Sequence, residues 1–130
     1  MNLKNSLGRI AAENIVSKIN IPTFKNSAMD GYAVEASRSI GKTVEVSNRI
    51  PAGVSPSVLK EGTAARIFTG APLPIGADSV VVQEETSESN GYVSMPGAIK
   101  VGQNVRQVGE DIGAGEEMFS SGHRLRAQDL

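Results

Sequence analysis

Between Pro22 and Phe119 the sequence repeats one texture: short runs of β-branched and small apolar residues, each closed off by glycine, proline or asparagine. Runs this short suit strands, and their spacing is that of a barrel or sandwich. The expected strands are Tyr32 to Val34, Thr43 to Ser47, Ala64 to Phe68, Ser79 to Gln83, Tyr92 to Met95, Asn104 to Val108 and Glu116 to Phe119. The stretch from Glu84 to Met95 should fold back at Asn90-Gly91, because both residues accept the positive φ of a tight hairpin turn. A mostly antiparallel β body follows. With 39% hydrophobic residues, 4% aromatic and no Trp in 130 residues, it must pack through Val, Ile, Ala and Leu. The length allows about one modest domain with an appendage.

The N-terminal segment reads differently. Leu3, Leu7, Ile10, Ala11 and Ile15 recur at three- and four-residue spacing, which predicts a helix from Leu3 to about Ile19, stopped by Asn20 and Pro22. Leu125 to Leu130 reads as the opening of another helix without its cap, as in a chain cut short. The expected class is therefore mainly β with an N-terminal helix, with soft internal boundaries near residues 40 and 105.

Thirteen basic residues against fourteen acidic ones give a net charge of −1, so no global field draws in a polyanion, and nucleic acid is not expected as a partner. The absence of cysteine removes disulfides, thiolate nucleophiles and thiolate metal sites, and fits the reducing cytoplasm. Charged residues interrupt the N-terminal apolar positions, so neither a signal-peptide core nor a membrane span is expected there. No phosphate-binding P-loop, dinucleotide fingerprint, nucleophile elbow or paired-histidine metal motif is present.

Three segments carry polar groups suited to chemistry. In Asn26-Ser27-Ala28-Met29-Asp30-Gly31-Tyr32-Ala33-Val34 a carboxylate stands before a glycine at a strand mouth; the competing reading is an Asp-Gly turn in which Asp30 caps local amides. In Arg66-Ile67-Phe68-Thr69-Gly70-Ala71-Pro72-Leu73-Pro74 a strand ends in a rigid loop. Thr69 there either orients a phosphate or a metal-bound water, or satisfies a backbone group. Gln103-Asn104-Val105-Arg106-Gln107-Val108-Gly109-Glu110-Asp111-Ile112 gathers a guanidinium and two carboxylates around one glycine. Asp30 and Asp111 are hard oxygen ligands suited to Mg²⁺, and Arg106 could meet a phosphate bidentately or form an ordinary ion pair. Gln83, Glu84 and Glu85 read as a solvated strand end, and His123, the one histidine, as an exposed turn residue without a role.

Taken together, Ser27-Ala28-Met29-Asp30-Gly31-Tyr32-Ala33, Ile67-Phe68-Thr69-Gly70-Ala71-Pro72 with Pro74 and Gly76, and Gly109-Glu110-Asp111-Ile112 resemble the molybdopterin molybdenumtransferase family, which includes bacterial MoeA and the gephyrin E domain. The resemblance implies a longer chain, forming an elongated homodimer. Residues 1–40 and 105–130 would belong to an extended α+β first domain, and 41–104 to an inserted, barrel-like β domain. An α/β domain and a C-terminal β domain would follow downstream. It also implies insertion of molybdate into adenylylated molybdopterin with release of AMP and help from Mg²⁺ or a similar divalent ion. Asp30, Thr69 and Asp111 fall on the family's active-site positions, with Asp30 and Asp111 as metal ligands and with Arg106 and Ser27 as binding residues. One departure is Lys25, where many relatives carry an acidic residue. The alternative is a non-catalytic interaction or dimerisation module of a gephyrin-like scaffold.

Overall fold

The structure, a computed structural model, describes residues 3–130. They fall into two compact units: Phe24–Gln107 forms one, and residues 3–23 with Val108–Leu130 the other.

The Phe24–Gln107 unit is built on a six-stranded sheet. Its chain first makes β1 (Asn26–Ser27) and β2 (Gly31–Val34), then a single helical turn α1 (Ala36–Ser39). β3 (Thr43–Ile50), β4 (Ala64–Ile67) and β5 (Ser79–Val82) follow, then the hairpin β6 (Ser87–Ser89) and β7 (Tyr92–Ser94), and finally β8 (Val105–Arg106). The sheet order is β5-β2-β4-β3-β7-β6, while β1 and β8 pair separately as an antiparallel ladder. All sheet pairings are antiparallel except β3 with β4. The expected strands are present to within a few residues. β3 outruns its expected end because it changes partners. Thr43–Glu45 pair with β7, and beyond a bulge at Val46/Asn48 the strand runs beside β4 to Ile50. The Asn90-Gly91 turn is as expected, with φ of 52° and 79°.

Alternate residues of a strand face opposite sides of a sheet, and here both sides are covered. Tyr32, Val34, Ala64, Val81 and Val93 pack with Met95 and Ile99 in one cluster. Ala33, Ala65, Ile67 and Val80 pack with Ile50, Leu59 and Ala71 in another. The sheet also curls. β2 and β6 lie four strands apart in the order, about 19 Å if the sheet were flat, yet the Tyr32 hydroxyl of β2 donates a hydrogen bond to Glu88 of β6.

The other unit corrects the expectation of an N-terminal helix. Leu3–Asn5 is a 3₁₀ turn, and turns and bends follow as far as a short strand, β9 (Ile15–Val16), paired with β10 (Glu117–Phe119). Two causes are visible. Gly8 has φ +76°, outside helical geometry. The backbone bonds a partner segment instead of itself: Gly8 N–H donates to Leu125 O (2.8 Å), Leu125 N–H to Arg9 O (2.8 Å) and Ala11 N–H to His123 O (2.9 Å). Of the apolar stripe only Ala11 is buried; Leu3, Leu7 and Ile10 are 60%, 59% and 67% exposed.

The C-terminal residues form one 3₁₀ turn, Ala127–Asp129, which does have a cap: the Asp129 carboxylate accepts Arg126 N–H (2.9 Å) and the Arg126 guanidinium (3.1 Å). His123 is half-buried rather than exposed; it joins the same carboxylate (2.8 Å) and stacks on Phe119 at 4.6 Å. Among the described residues no helix is long and apolar enough to cross a membrane.

Candidate active site

The turn Asn26–Asp30 is gripped from two sides. On one, Asn26 and Ser27 pair with Arg106 and Val105, and Ala28 N–H donates to Asn104 O (2.9 Å). On the other, Gly70 N–H donates to Ser27 O (2.8 Å) and Ser27 N–H to Ala71 O (3.0 Å), while Asn26 bridges Pro72. Segments far apart in the chain thus meet at one turn. Ser27 shapes that turn. Its buried hydroxyl donates to Met29 O (2.6 Å) and accepts Met29 N–H (3.3 Å), a serine turn closed on itself.

Asp30 stands at the exposed end of this turn. Its Oδ1 accepts two hydrogen bonds from Thr69, from the backbone N–H and from the hydroxyl, each 2.8 Å. Both bonds favour the charged form, so the backbone and then the side chain of Thr69 hold the Asp30 carboxyl below its ordinary value, with a further push from the Arg66 charge. Asp30 and Thr69 are therefore one constellation. The carboxylate does cap an amide, but one 39 residues away in sequence rather than a local one.

This pairing narrows what Thr69 can do. A hydroxyl has a single O–H to give, and Asp30 takes it. Thr69 Oγ1 is left as an acceptor, suited to a water carried by a metal and unsuited to donating to a phosphate.

The glycine after Asp30 is obligatory for packing. A Cβ on Gly31 would lie 2.0 Å from Val81 O, inside the β2–β5 ladder. Arg66, on β4 opposite Tyr32, donates to Gly31 O (2.9 Å) and to the Gln83 side chain, and stacks over Tyr32 and Phe68 at 5.2 and 4.9 Å. Arg66 and Gln83 appear in the sequence only as flanks of motifs; nothing in their spacing shows that they meet.

Asp111 lies in the other unit, exposed, with its N–H donated to Ile21 O (2.9 Å). Its turn depends on Gly109, whose φ is +71° and whose added Cβ would meet Asn20 Oδ1 at 2.9 Å. Arg106 is half-buried on β8, directly across from Asn26. Among the described residues no group of three or more acidic or histidine side chains is placed to hold a metal ion. The Asp30 carboxylate by itself is a hard oxygen donor of the kind Mg²⁺ accepts, since that ion takes as few as one carboxylate and fills its remaining positions with water and substrate phosphate. Both Thr69 bonds fall on Oδ1, leaving Asp30 Oδ2 as that donor.

The chain is matched by known proteins along its whole length. The family model for the MoeA N-terminal region (domain I and II) matches residues 1–130. The molybdopterin molybdenumtransferase of Haemophilus influenzae is 40% identical over 134 residues, covering 100% of this chain and 33% of that protein. The enzyme of the same name from Bacillus subtilis is 39% identical, covering 95% and 31%. A crystal structure of the molybdopterin biosynthesis MoeA protein from Pyrococcus horikoshii superposes with a TM-score of 0.93 at 34% identity, over 99% of this chain and 35% of that one. The chain belongs to the MoeA N-terminal region family, and it spans about a third of the length of the relatives it matches.

Proposed function

We propose that this chain contributes the Asp30 side of the active site of a molybdopterin molybdenumtransferase, the enzyme that inserts molybdate into adenylylated molybdopterin and releases AMP. The observation that carries the reading is the Asp30 carboxylate, fixed in place and held ionised by both donors of Thr69. The match of chain and family over all residues, with relatives bearing that name, supports the substrate class.

Mg²⁺, when bound, would offset the negative charge of the substrate's phosphates and of the leaving phosphate. Asp30 Oδ2 would supply one carboxylate ligand, with the carboxylate's direction fixed by Thr69 through Oδ1, and Thr69 Oγ1 would accept a hydrogen bond from a metal-bound water. Pre-set donors of this kind need no reorganisation when charge develops. Arg106 offers a guanidinium for a phosphate. Asp111 enters as a second acidic ligand on the strength of its motif. The homodimer and the reducing cytoplasm belong to the same proposal, the latter supported by the absence of cysteine.

The test is molybdenum-cofactor synthesis by a full-length enzyme carrying this segment, supplied with adenylylated molybdopterin, molybdate and Mg²⁺. Asp30→Ala and Asp111→Ala are each expected to abolish product with little change in melting temperature. Activity retained in both variants overturns the proposal.

A further inference from the structure

Asp30 is held by more than Thr69. Its own carbonyl accepts Gln83 N–H (3.2 Å), and the next carbonyl, Gly31 O, accepts Arg66 Nη1 (2.9 Å). Arg66 Nη2 donates to Gln83 Oε1 and so closes the ring of contacts: Asp30 to Gln83, Gln83 to Arg66, Arg66 to Gly31. Two successive peptide planes, those that follow Asp30 and Gly31, are thereby pinned while Thr69 holds the side chain.

The guanidinium is itself fixed. It stacks over the rings of Tyr32 and Phe68, and Phe68 has a second guanidinium, that of Arg49, over it at 4.7 Å. A planar fork serving two acceptors at once, braced on aromatic faces, is a task that a lysine cannot reproduce, because its ammonium is a point charge on a flexible stem. Phe68 directly precedes Thr69, so the ring that braces Arg66 and the residue that clasps Asp30 are neighbours in the chain.

We propose that Arg66, acting with Gln83, is the positioning residue of this site: it sets the peptide planes after Asp30 so that the carboxylate meets both donors of Thr69 through Oδ1 and leaves Oδ2 to a cation. The inference rests on the reading of Asp30 as the metal-facing carboxylate.

The experiment is residue-resolved amide hydrogen exchange on this 130-residue chain, paired with titration by Mg²⁺ alone. The variants are Arg66→Lys, which keeps the charge and loses the fork, and Gln83→Ala at an exposed side chain. Arg66→Lys is expected to speed exchange at the Thr69 amide about tenfold and to weaken Mg²⁺ binding by a similar factor, in line with loss of a charge-assisted hydrogen bond. Val44 and Val93, in the β3–β7 ladder, should exchange at the parent rate. Gln83→Ala should produce the same pattern at about threefold, and it decides the matter if Arg66→Lys does not fold. An unchanged Thr69 amide, or a uniform acceleration across the sheet, overturns the proposal and leaves Arg66 as a general support of the fold. The exchange readout needs no metal. A parent chain that ignores Mg²⁺ therefore counts against the functional reading, while exchange at Thr69 still decides the positioning.

Discussion

The two compact units use apolar residues in opposite ways. In the Phe24–Gln107 unit, Val34, Ile67, Val80, Val81 and Val93 have no exposed surface, and each sits on a strand expected from its sequence. In the other unit Leu3, Leu7 and Ile10 are largely exposed, and the helical spacing they share with Ala11 and Ile15 yields no α-helix. Spacing alone does not make a helix. Most of a helix's stability in a protein comes from burying its apolar face, and where that face finds no cover, backbone pairing with a distant segment of the same chain decides the local structure.

The sharpest way to test this contrast is at Gly31. Gly31→Ala drives a methyl into the backbone of β5 and should cost about 3 kcal/mol or more, read from the denaturant midpoint. Next comes a matched pair. Ile67→Ala, in the sheet core, should cost about 2–5 kcal/mol. Ile10→Ala, at 67% exposure in the other unit, should stay within about 0.5 kcal/mol. Equal costs would break the comparison. At the hairpin, Asn90→Ala must hold φ of 52° without a side chain that tolerates it, at about 1 kcal/mol.

The smallest effect expected is on pH dependence, and it samples both units. Asp30 is held low first by the Thr69 backbone bond, and Asp129 first by the Arg126 side chain and then by His123. A carboxylate whose folded pKa is depressed adds stability in full above its ordinary value of 3.8, and that stability is lost as pH falls through the folded value. Asp30→Asn and Asp129→Asn should each flatten the acid limb of the stability curve below pH 3.8 and leave its shape at pH 7 unaltered. An acid limb identical to the parent's in both variants would show that neither contact forms in solution.

Much of the sheet was legible because β-branched runs, glycine breaks and Asn90-Gly91 are local signals. β1 and β9 were not, since a strand of two residues such as Asn26–Ser27 has no period to detect. The site divides in the same way. Asp30 and Thr69 could be named from motifs, but their direct contact across 39 residues exists only because β2 and β4 pair in one register. Arg66 and Gln83 stayed hidden for a related reason. Arg66 reaches Gly31 O and the Gln83 side chain, and no spacing along the chain encodes that pair. The helix expected over Leu3–Ile19 failed because sequence shows an apolar stripe and cannot show whether anything covers it.

The ladder of Asn26 and Ser27 with Arg106 and Val105 does more than brace a turn. It brings the entry and the exit of the Phe24–Gln107 unit side by side, so joining them takes a short linker and little closure entropy. The body of the sheet is thus a cassette with one doorway. A chain that enters and leaves by one doorway can be lengthened inside it without threading a second connection.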